Sequence, residues 1–386
     1  MAEAALDESR LGRALAGRHI LLTGHTGFKG GWLALWLRRL GADITAVALP
    51  PGGGQPSLFD ALDVPSLVDH RVADIRRGEQ FEAAVAGLQP DLVIHMAAQS
   101  LVRRSYADPV ETFQTNVVGT AIVLDAARRM PSLRGVVVVT SDKCYANREW
   151  LWGYREIDRL GGADPYSASK GCAELVVDCY RHSFFREPDG PIIATARAGN
   201  VFGGGDWSED RLVPDIVRAV TADRPIKLRN PRSIRPWQHV LEPLAGYLML
   251  AAGMMEGNRA LDGAWNFGPD SAGVVDVETL LNAFRDAWQP SVLEAQFDRS
   301  DTTRPEAGML SLDSSKAKLE LGWRPRLSME QAVALTTEWY RAHTAQADMR
   351  AFSERQIDDY VAGAENPPAL AATMPATIQE TTKLCA

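Results

Sequence analysis

The chain has 386 residues, 46% hydrophobic and 23% charged, the make-up of a folded globular protein long enough for one large α/β unit or two lobes. Its formal net charge of −8 argues against nucleic acid as the main partner, and its longest promising apolar run, Leu244 to Met255, falls far short of the roughly 20 residues that span a bilayer. Four cysteines with no C-x-x-C pair and no metal-ligand spacing against the seven histidines argue against structural disulfides and against a metal site. Glu3, Asp7 and Glu8, in an opening stretch with no apolar core, leave no leader visible, so the cytoplasm is the expected location.

In chain order, an N-terminal extension (1–17) precedes short β-branched runs at His19 to Thr23, Ile44 to Leu49, a third ending at Asp74, Leu92 to Ala97, Val136 to Thr140 and Ile192 to Ala196. The runs are nearly continuous rather than alternating, which predicts strands of a parallel sheet covered on both faces, hence a doubly wound α/β fold. Leu33, Trp36, Leu37 and Leu40, spaced i, i+3, i+4 and i+7, predict a helix after the first strand, stopped by Gly41. These elements make a dinucleotide-binding unit over 18–198. Beyond it, Gly/Pro-rich loops, shorter apolar runs and several arginines predict a smaller substrate lobe over 199–361, with segments crossing back. The Ala/Pro/Thr-rich stretch 362–386 reads as a flexible tail.

The first strand runs into Gly24-His25-Thr26-Gly27-Phe28-Lys29-Gly30, a G-x-x-G-x-x-G turn opening the amphipathic helix. Glycines there let backbone approach a pyrophosphate, and a helix N-terminus offers it free N–H groups. After the second strand comes Pro50-Pro51-Gly52, with neither an acid for the ribose of NAD nor an arginine for a 2′-phosphate, so this test leaves NAD and NADP open. Asp74 has two readings, an adenine contact or a helix N-cap, and Ala97, Ala98 and Gln99 are placed to line the nicotinamide side.

Thr140 ends the fifth strand, Asp142 and Lys143 come just after it, and Tyr166 and Lys170 lie one helical turn apart at the start of the next helix. A phenol beside an ammonium and a cationic nicotinamide has its phenolate favoured, which suits proton removal from an alcohol, and an adjacent carboxylate and amine suit elimination. The bland alternatives are a surface Tyr/Lys pair, a turn-capping aspartate and a solvated lysine. His95 and His239 sit in apolar sequence and read as hydrogen-bonded core residues, while Trp32, Trp36, Trp150 and Trp152 read as packing residues.

The blocks TGHTGFKGGW from Thr23, HMAAQSLVRRSY from His95, TSDKCYANREWLWGYRE from Thr140, DPYSASKGCAELV from Asp164, RAGNVFGGGDW from Arg197 and NPRSIRPWQHVLEP from Asn230 carry a resemblance. From about Gly17 to about Tyr360 the chain resembles the extended short-chain dehydrogenase/reductase superfamily, and within it the CDP-glucose 4,6-dehydratase branch. Ser100 stands where that pattern leads one to expect proline. The resemblance implies a Rossmann sheet, NAD as cofactor, CDP-glucose or a related nucleotide sugar as substrate, and a homodimer or higher homo-oligomer. It also implies roles: Tyr166 deprotonates the hydroxyl at sugar carbon 4, Thr140 orients it, Lys170 holds ribose hydroxyls, Lys143 takes the proton at carbon 5 and Asp142 protonates the hydroxyl leaving carbon 6. Lys143, where related dehydratases are expected to carry a carboxylate, points to the CDP-sugar branch. Asn200, Arg211, Arg229 and above all Arg235 are the expected contacts to the sugar nucleotide, with Arg232 a solvated charge. The competing readings are a nucleotide-sugar 4-epimerase or reductase and a non-catalytic NAD- or sugar-nucleotide-binding protein.

Overall fold

Branched aliphatic residues that can expose neither face form the centre of the molecule. The computed structural model describes residues 6–52, 56–228, 230–289, 294–297 and 307–363. Strands β1 (His19–Thr23), β2 (Asp43–Ala48), β3 (Asp69–Val72), β4 (Leu92–His95), β5 (Gly135–Val139) and β6 (Ile192–Ala198) lie in one sheet. Short strands β7 (Val201–Phe202), β8 (Ile226–Leu228), β9 (Ile234–Pro236) and β10 (Gln238–His239) follow, and then β11 (Gly263–Phe267) returns to the edge of the main sheet beside β6. The order is β3-β2-β1-β4-β5-β6-β11, parallel throughout. Two further short strands, β12 (Val274–Asp276) and β13 (Ala295–Phe297), pair with β9 and β8 away from the sheet.

Successive residues of each strand feed two separate cores. Ile20, Leu22, Val137 and Val139 pack with Trp32, Trp36 and the apolar helix Leu241–Met255, whereas Leu21, Val136 and Val138 pack with Phe81, Val123 and Val177. A doubly wound sheet results, and the order in which successive strands are added reverses between β1 and β4, opening a crevice at their carboxyl ends. The helix Phe28–Arg39 ends where Gly41, at φ +82, takes the left-handed conformation. Helix Pro165–Phe184 starts with Asp164 accepting from the Ser167 N–H at 2.9 Å and proline in the first position. Near the N-terminus, helix Glu8–Leu15 buries Leu11 and Leu15, and Arg10 pairs with Glu256 at 2.6 Å. Residues 364–386, most of the expected tail, lie outside the described residues. Among the described residues no helix is long and apolar enough to cross a membrane.

Two expectations about packing change. Trp32 and Trp36 are fully buried, but Trp150 and Trp152 are 39% and 69% exposed, stacked on one another on a surface loop. Strand β11 was not expected, because Gly263-Ala264-Trp265-Asn266-Phe267 lacks the branched aliphatics that mark the central strands.

Several titratable groups are sealed into this framework. His95 is held between the hydroxyls of Thr23 (2.7 Å) and Thr120 (3.1 Å), His25 meets His70 at 2.7 Å, and His239 is fully buried. Burial pushes His25 down to about 4 and His95 and His239 to about 3, from an ordinary 6.5. Burial pushes Glu242 the other way, from 4.5 to about 7, although the Arg326 and Leu327 N–H groups and Tyr360 donate to it. Below pH 6.5 the unfolded histidines bind protons that the folded ones refuse, so acid destabilises the fold. Between pH 4.5 and 7 folded Glu242 keeps a proton that its unfolded form releases, which opposes one histidine. These four groups therefore predict net uptake of about two protons on unfolding near pH 5.5. Urea titrations from pH 7 to 5 should show stability falling with that slope, and His239→Asn should lower it by about one proton.

Candidate active site

The glycine turn is built by close approach. Gly24 lies at φ +84, and a Cβ on it would sit 2.7 Å from the Ala97 nitrogen, while a Cβ on Gly30 would sit 2.1 Å from the Gly24 carbonyl oxygen. Gly27 is the N-cap of helix Phe28–Arg39 and caps it with no side chain, so the helix's first N–H groups face the crevice without an internal acceptor. A turn this tight, open at a helix N-terminus and lying at the β1/β4 reversal, fits a dinucleotide pyrophosphate. Ala97 and Ala98 line the same cavity. Gln99 lines it too, but its side chain is spent on the chain itself, donating to Thr112 and the Leu101 carbonyl and accepting from the Leu101 N–H. Asp74 caps no helix, since Arg77 precedes helix Gly78–Val85; its carboxylate instead grips Arg76, whose Nη2 lies 2.6 Å away. Arg76 in turn reaches Glu111, and this charged cluster at the cavity wall had no motif to announce it.

The candidate catalytic wall is the turn after β5 facing the first two turns of helix Pro165–Phe184. Tyr166 and Lys170 are 8% and 5% exposed. Burial pushes the Tyr166 phenol up to about 12, with Ser141 and Arg211 favouring its phenolate and Asp142 opposing it. Burial lowers Lys170 to about 8 against the pull of Glu174, and its ammonium reaches the Val139 carbonyl at 3.5 Å. The hydroxyl beside Tyr166 is thus Ser141, not Thr140: Thr140 Oγ1 donates at 2.5 Å to Glu174, behind the wall. Ser141 also donates to Asp142 Oδ1 at 3.0 Å and accepts the Lys143 N–H at 3.2 Å. Asp142 is 2% exposed, and its Oδ2 has no hydrogen-bond partner. That carboxylate occupies the space where residue 199 would carry a side chain, since a Cβ on Gly199 would lie 1.9 Å from Oδ2.

Lys29, assigned from sequence to the cofactor turn, also lines the cavity and interacts electrostatically with Lys170, Arg211 and Asp142. Its ammonium is 5.9 Å from the centroid of the Tyr247 ring, and burial with Lys170 and Arg211 lowers it to about 7 against the pull of Asp142.

A cavity of about 580 Å³ lies over this wall. Asn200, at φ +43 in the turn between β6 and β7, lines it. So does Arg211, which donates to Asp206 at 3.1 Å and to Ser100 at 3.0 Å, giving the serine in place of proline a definite partner. Arg235 is 6% exposed and lines the cavity, with its terminal nitrogens donating to the carbonyls of Ile234 (2.8 Å) and Ala307 (2.5 Å). Arg232 is exposed, and Arg229 lies outside the described residues.

Comparison with known proteins agrees with this geometry. The family model described as GDP-mannose 4,6 dehydratase matches residues 21–336. A CDP-glucose 4,6-dehydratase of Salmonella typhimurium is 44% identical over 350 residues, 89% of this chain and 96% of that protein. A dTDP-glucose 4,6-dehydratase of Streptomyces antibioticus is 30% identical over 67% of this chain and 72% of its own length. Among solved structures, the dTDP-glucose 4,6-dehydratase of Streptomyces venezuelae with NAD and TYD bound superposes with TM-score 0.72 at 23% identity, covering 85% of this chain and 98% of that one. UDP-glucose 4-epimerase of Thermotoga maritima gives 0.71 at 19% identity, covering 84% and 99%, so the fold is shared by dehydratases and epimerases alike. With a glycine turn at the sheet's reversal, a Tyr/Lys pair and an Asp-Lys turn in one cavity, and relatives at this level of identity, the chain belongs to the nucleotide-sugar 4,6-dehydratase family.

Proposed function

We propose that this enzyme converts CDP-glucose to CDP-4-dehydro-6-deoxyglucose and water, with NAD as a recycled cofactor, acting in the cytoplasm as a homodimer. The observation that carries the reading is the wall in which Ser141, Asp142 and Lys143 face Tyr166, because a redox step alone needs no buried carboxylate beside the tyrosine. The nucleotide assignment is supported by the 44% identical relative and by a lysine at position 143. Exposed Val110, Phe113, Val118 and Leu175, on neighbouring helical segments, support association with a second copy.

The residues divide the work by position. Gly24, Gly27 and Gly30 give the pyrophosphate its backbone cradle, and Lys170 holds ribose hydroxyls. Arg211 and Arg235, with Asn200, receive the sugar nucleotide's diphosphate. Bound NAD supplies the site with a hydride acceptor at carbon 4, the donor at carbon 6, and a positive charge that favours the Tyr166 phenolate. Tyr166 removes the proton from the C4 hydroxyl as that carbon becomes a ketone. The ketone acidifies the hydrogen at C5, Lys143 takes it, and Asp142 delivers a proton to the departing oxygen on C6.

Incubation with NAD and each of CDP-, dTDP-, GDP- and UDP-glucose should give a product lighter by one water with the CDP sugar above all; no water loss with any of them refutes the reading. Lys143→Ala should slow water loss by about 10²- to 10⁴-fold while C4 oxidation in a single turnover survives. Gly199→Ala should displace the Asp142 carboxylate and slow elimination by about 10²-fold, with cofactor binding retained.

A further inference from the structure

We propose that Glu149 is a positioning residue for the sugar nucleotide's diphosphate: its carboxylate holds the peptide group between Ala307 and Gly308, and that peptide group orients the Arg235 guanidinium in the cavity wall. This rests on the diphosphate role given to Arg235 above and concerns how the arginine is held.

The contact is built on one peptide unit. Glu149 Oε1 accepts the Gly308 N–H at 2.5 Å, and the Ala307 carbonyl accepts from Arg235 Nη2 at 2.5 Å. That N–H and that C=O belong to the same planar group, and in a trans peptide they point in opposite directions. A carboxylate on one side and a guanidinium on the other therefore lie along one dipole, each strengthening the other's hydrogen bond. Arg235 Nη1 donates to the Ile234 carbonyl at 2.8 Å, so two carbonyls on two nitrogens set the plane of the fork. The Gly308 carbonyl in turn accepts the Ile234 N–H at 2.9 Å. To this pairing of β9 with residues 308–310, Glu149 brings a charge from the loop that follows the Asp142-Lys143 turn.

The loop is shaped to deliver it. Glu149 sits at φ +53, a left-handed conformation uncommon outside glycine, asparagine and aspartate. Asn147 supports the turn: its Oδ1 accepts the Glu149 N–H at 2.9 Å and the Tyr154 hydroxyl at 3.0 Å, while its Nδ2 donates to the Met309 carbonyl at 2.9 Å. Tyr154, 2% exposed, ties the base of the loop to the same segment, its N–H donating to the Ser311 carbonyl at 3.0 Å and its carbonyl accepting the Asp313 N–H at 2.9 Å. Glu149 is exposed, so core packing does not account for its conformation; the bonds to Asn147 and Gly308 do.

The test compares CDP and cytidine binding to the NAD-loaded enzyme by NMR titration, with steady-state water loss from CDP-glucose alongside. Glu149→Ala should weaken CDP about 10-fold and raise KM for CDP-glucose by a similar factor, with kcat within about twofold and cytidine binding, which needs no diphosphate contact, unchanged. Glu149→Gln keeps the Oε1 acceptor and should bring CDP affinity back to within about threefold of the unsubstituted enzyme. In an Arg235→Lys background, which lacks the fork, Glu149→Ala should cost little further, because both changes remove the same contact. Unchanged CDP affinity in Glu149→Ala, equal loss for CDP and cytidine, no recovery in Glu149→Gln, or full additivity with Arg235→Lys overturns the proposal. No water loss from the unsubstituted enzyme instead overturns the dehydratase reading, and the CDP measurements still decide the role of Glu149.

Discussion

The arrangement of the site depends on the buried ion pair between Glu174 and Arg197. Both are 3% exposed, and the pair is bidentate, with Arg197 Nε 2.9 Å from Oε1 and Nη2 2.7 Å from Oε2 of Glu174. Glu174 also accepts from Thr140 at 2.5 Å and Thr195 at 2.8 Å, while Arg197 donates to the Tyr145 hydroxyl at 2.7 Å and the Glu156 carbonyl at 3.1 Å. One pair thus fastens the end of β5, the strand β6, the tyrosine helix and the loop after the catalytic turn. Losing one member of such a pair strands a charge in the interior, at a cost of about 3–5 kcal/mol.

From that anchor the site is set by periodicity. Tyr166, Lys170 and Glu174 are successive i+4 positions of one helix, so fixing Glu174 fixes the face on which the other two meet the cavity. On the facing side, Thr140 is held inward by Glu174, and Ser141 turns toward Tyr166. The glycine turn and the Tyr/Lys pair line one cavity. Beside them the pocket under Gly199 admits the Asp142 carboxylate, and Lys143 follows it in the chain.

Much of this was legible in the sequence because it depends on local pattern. Uninterrupted aliphatic runs gave the central strands, the spacing of Leu33, Trp36 and Leu37 gave the first helix, and the Tyr166/Lys170 interval gave the face they share. What was not legible depends on partners distant in sequence. Thr140 and Ser141 differ by one step along an extended backbone, which reverses side-chain direction, and only the position of Glu174 decides which hydroxyl faces the tyrosine. Gly199 looked like an ordinary turn residue because the carboxylate that needs its missing Cβ lies 57 positions earlier. Asp74 offered a cap or an adenine contact; Arg77 takes the cap position, and Arg76 holds the Asp74 carboxylate at the cavity wall. Lys29 carried no sign that it would lie near Asp142 and Lys170.

The central claim is that one hydrogen travels from carbon 4 to carbon 6 while water is lost between. CDP-glucose deuterated at C4, converted by the enzyme and examined by NMR, tests it most directly. The predicted product has lost one water and carries the deuterium on its C6 methyl group. Deuterium retained at C4 of an intact hexose, or washed out to solvent, would contradict the account.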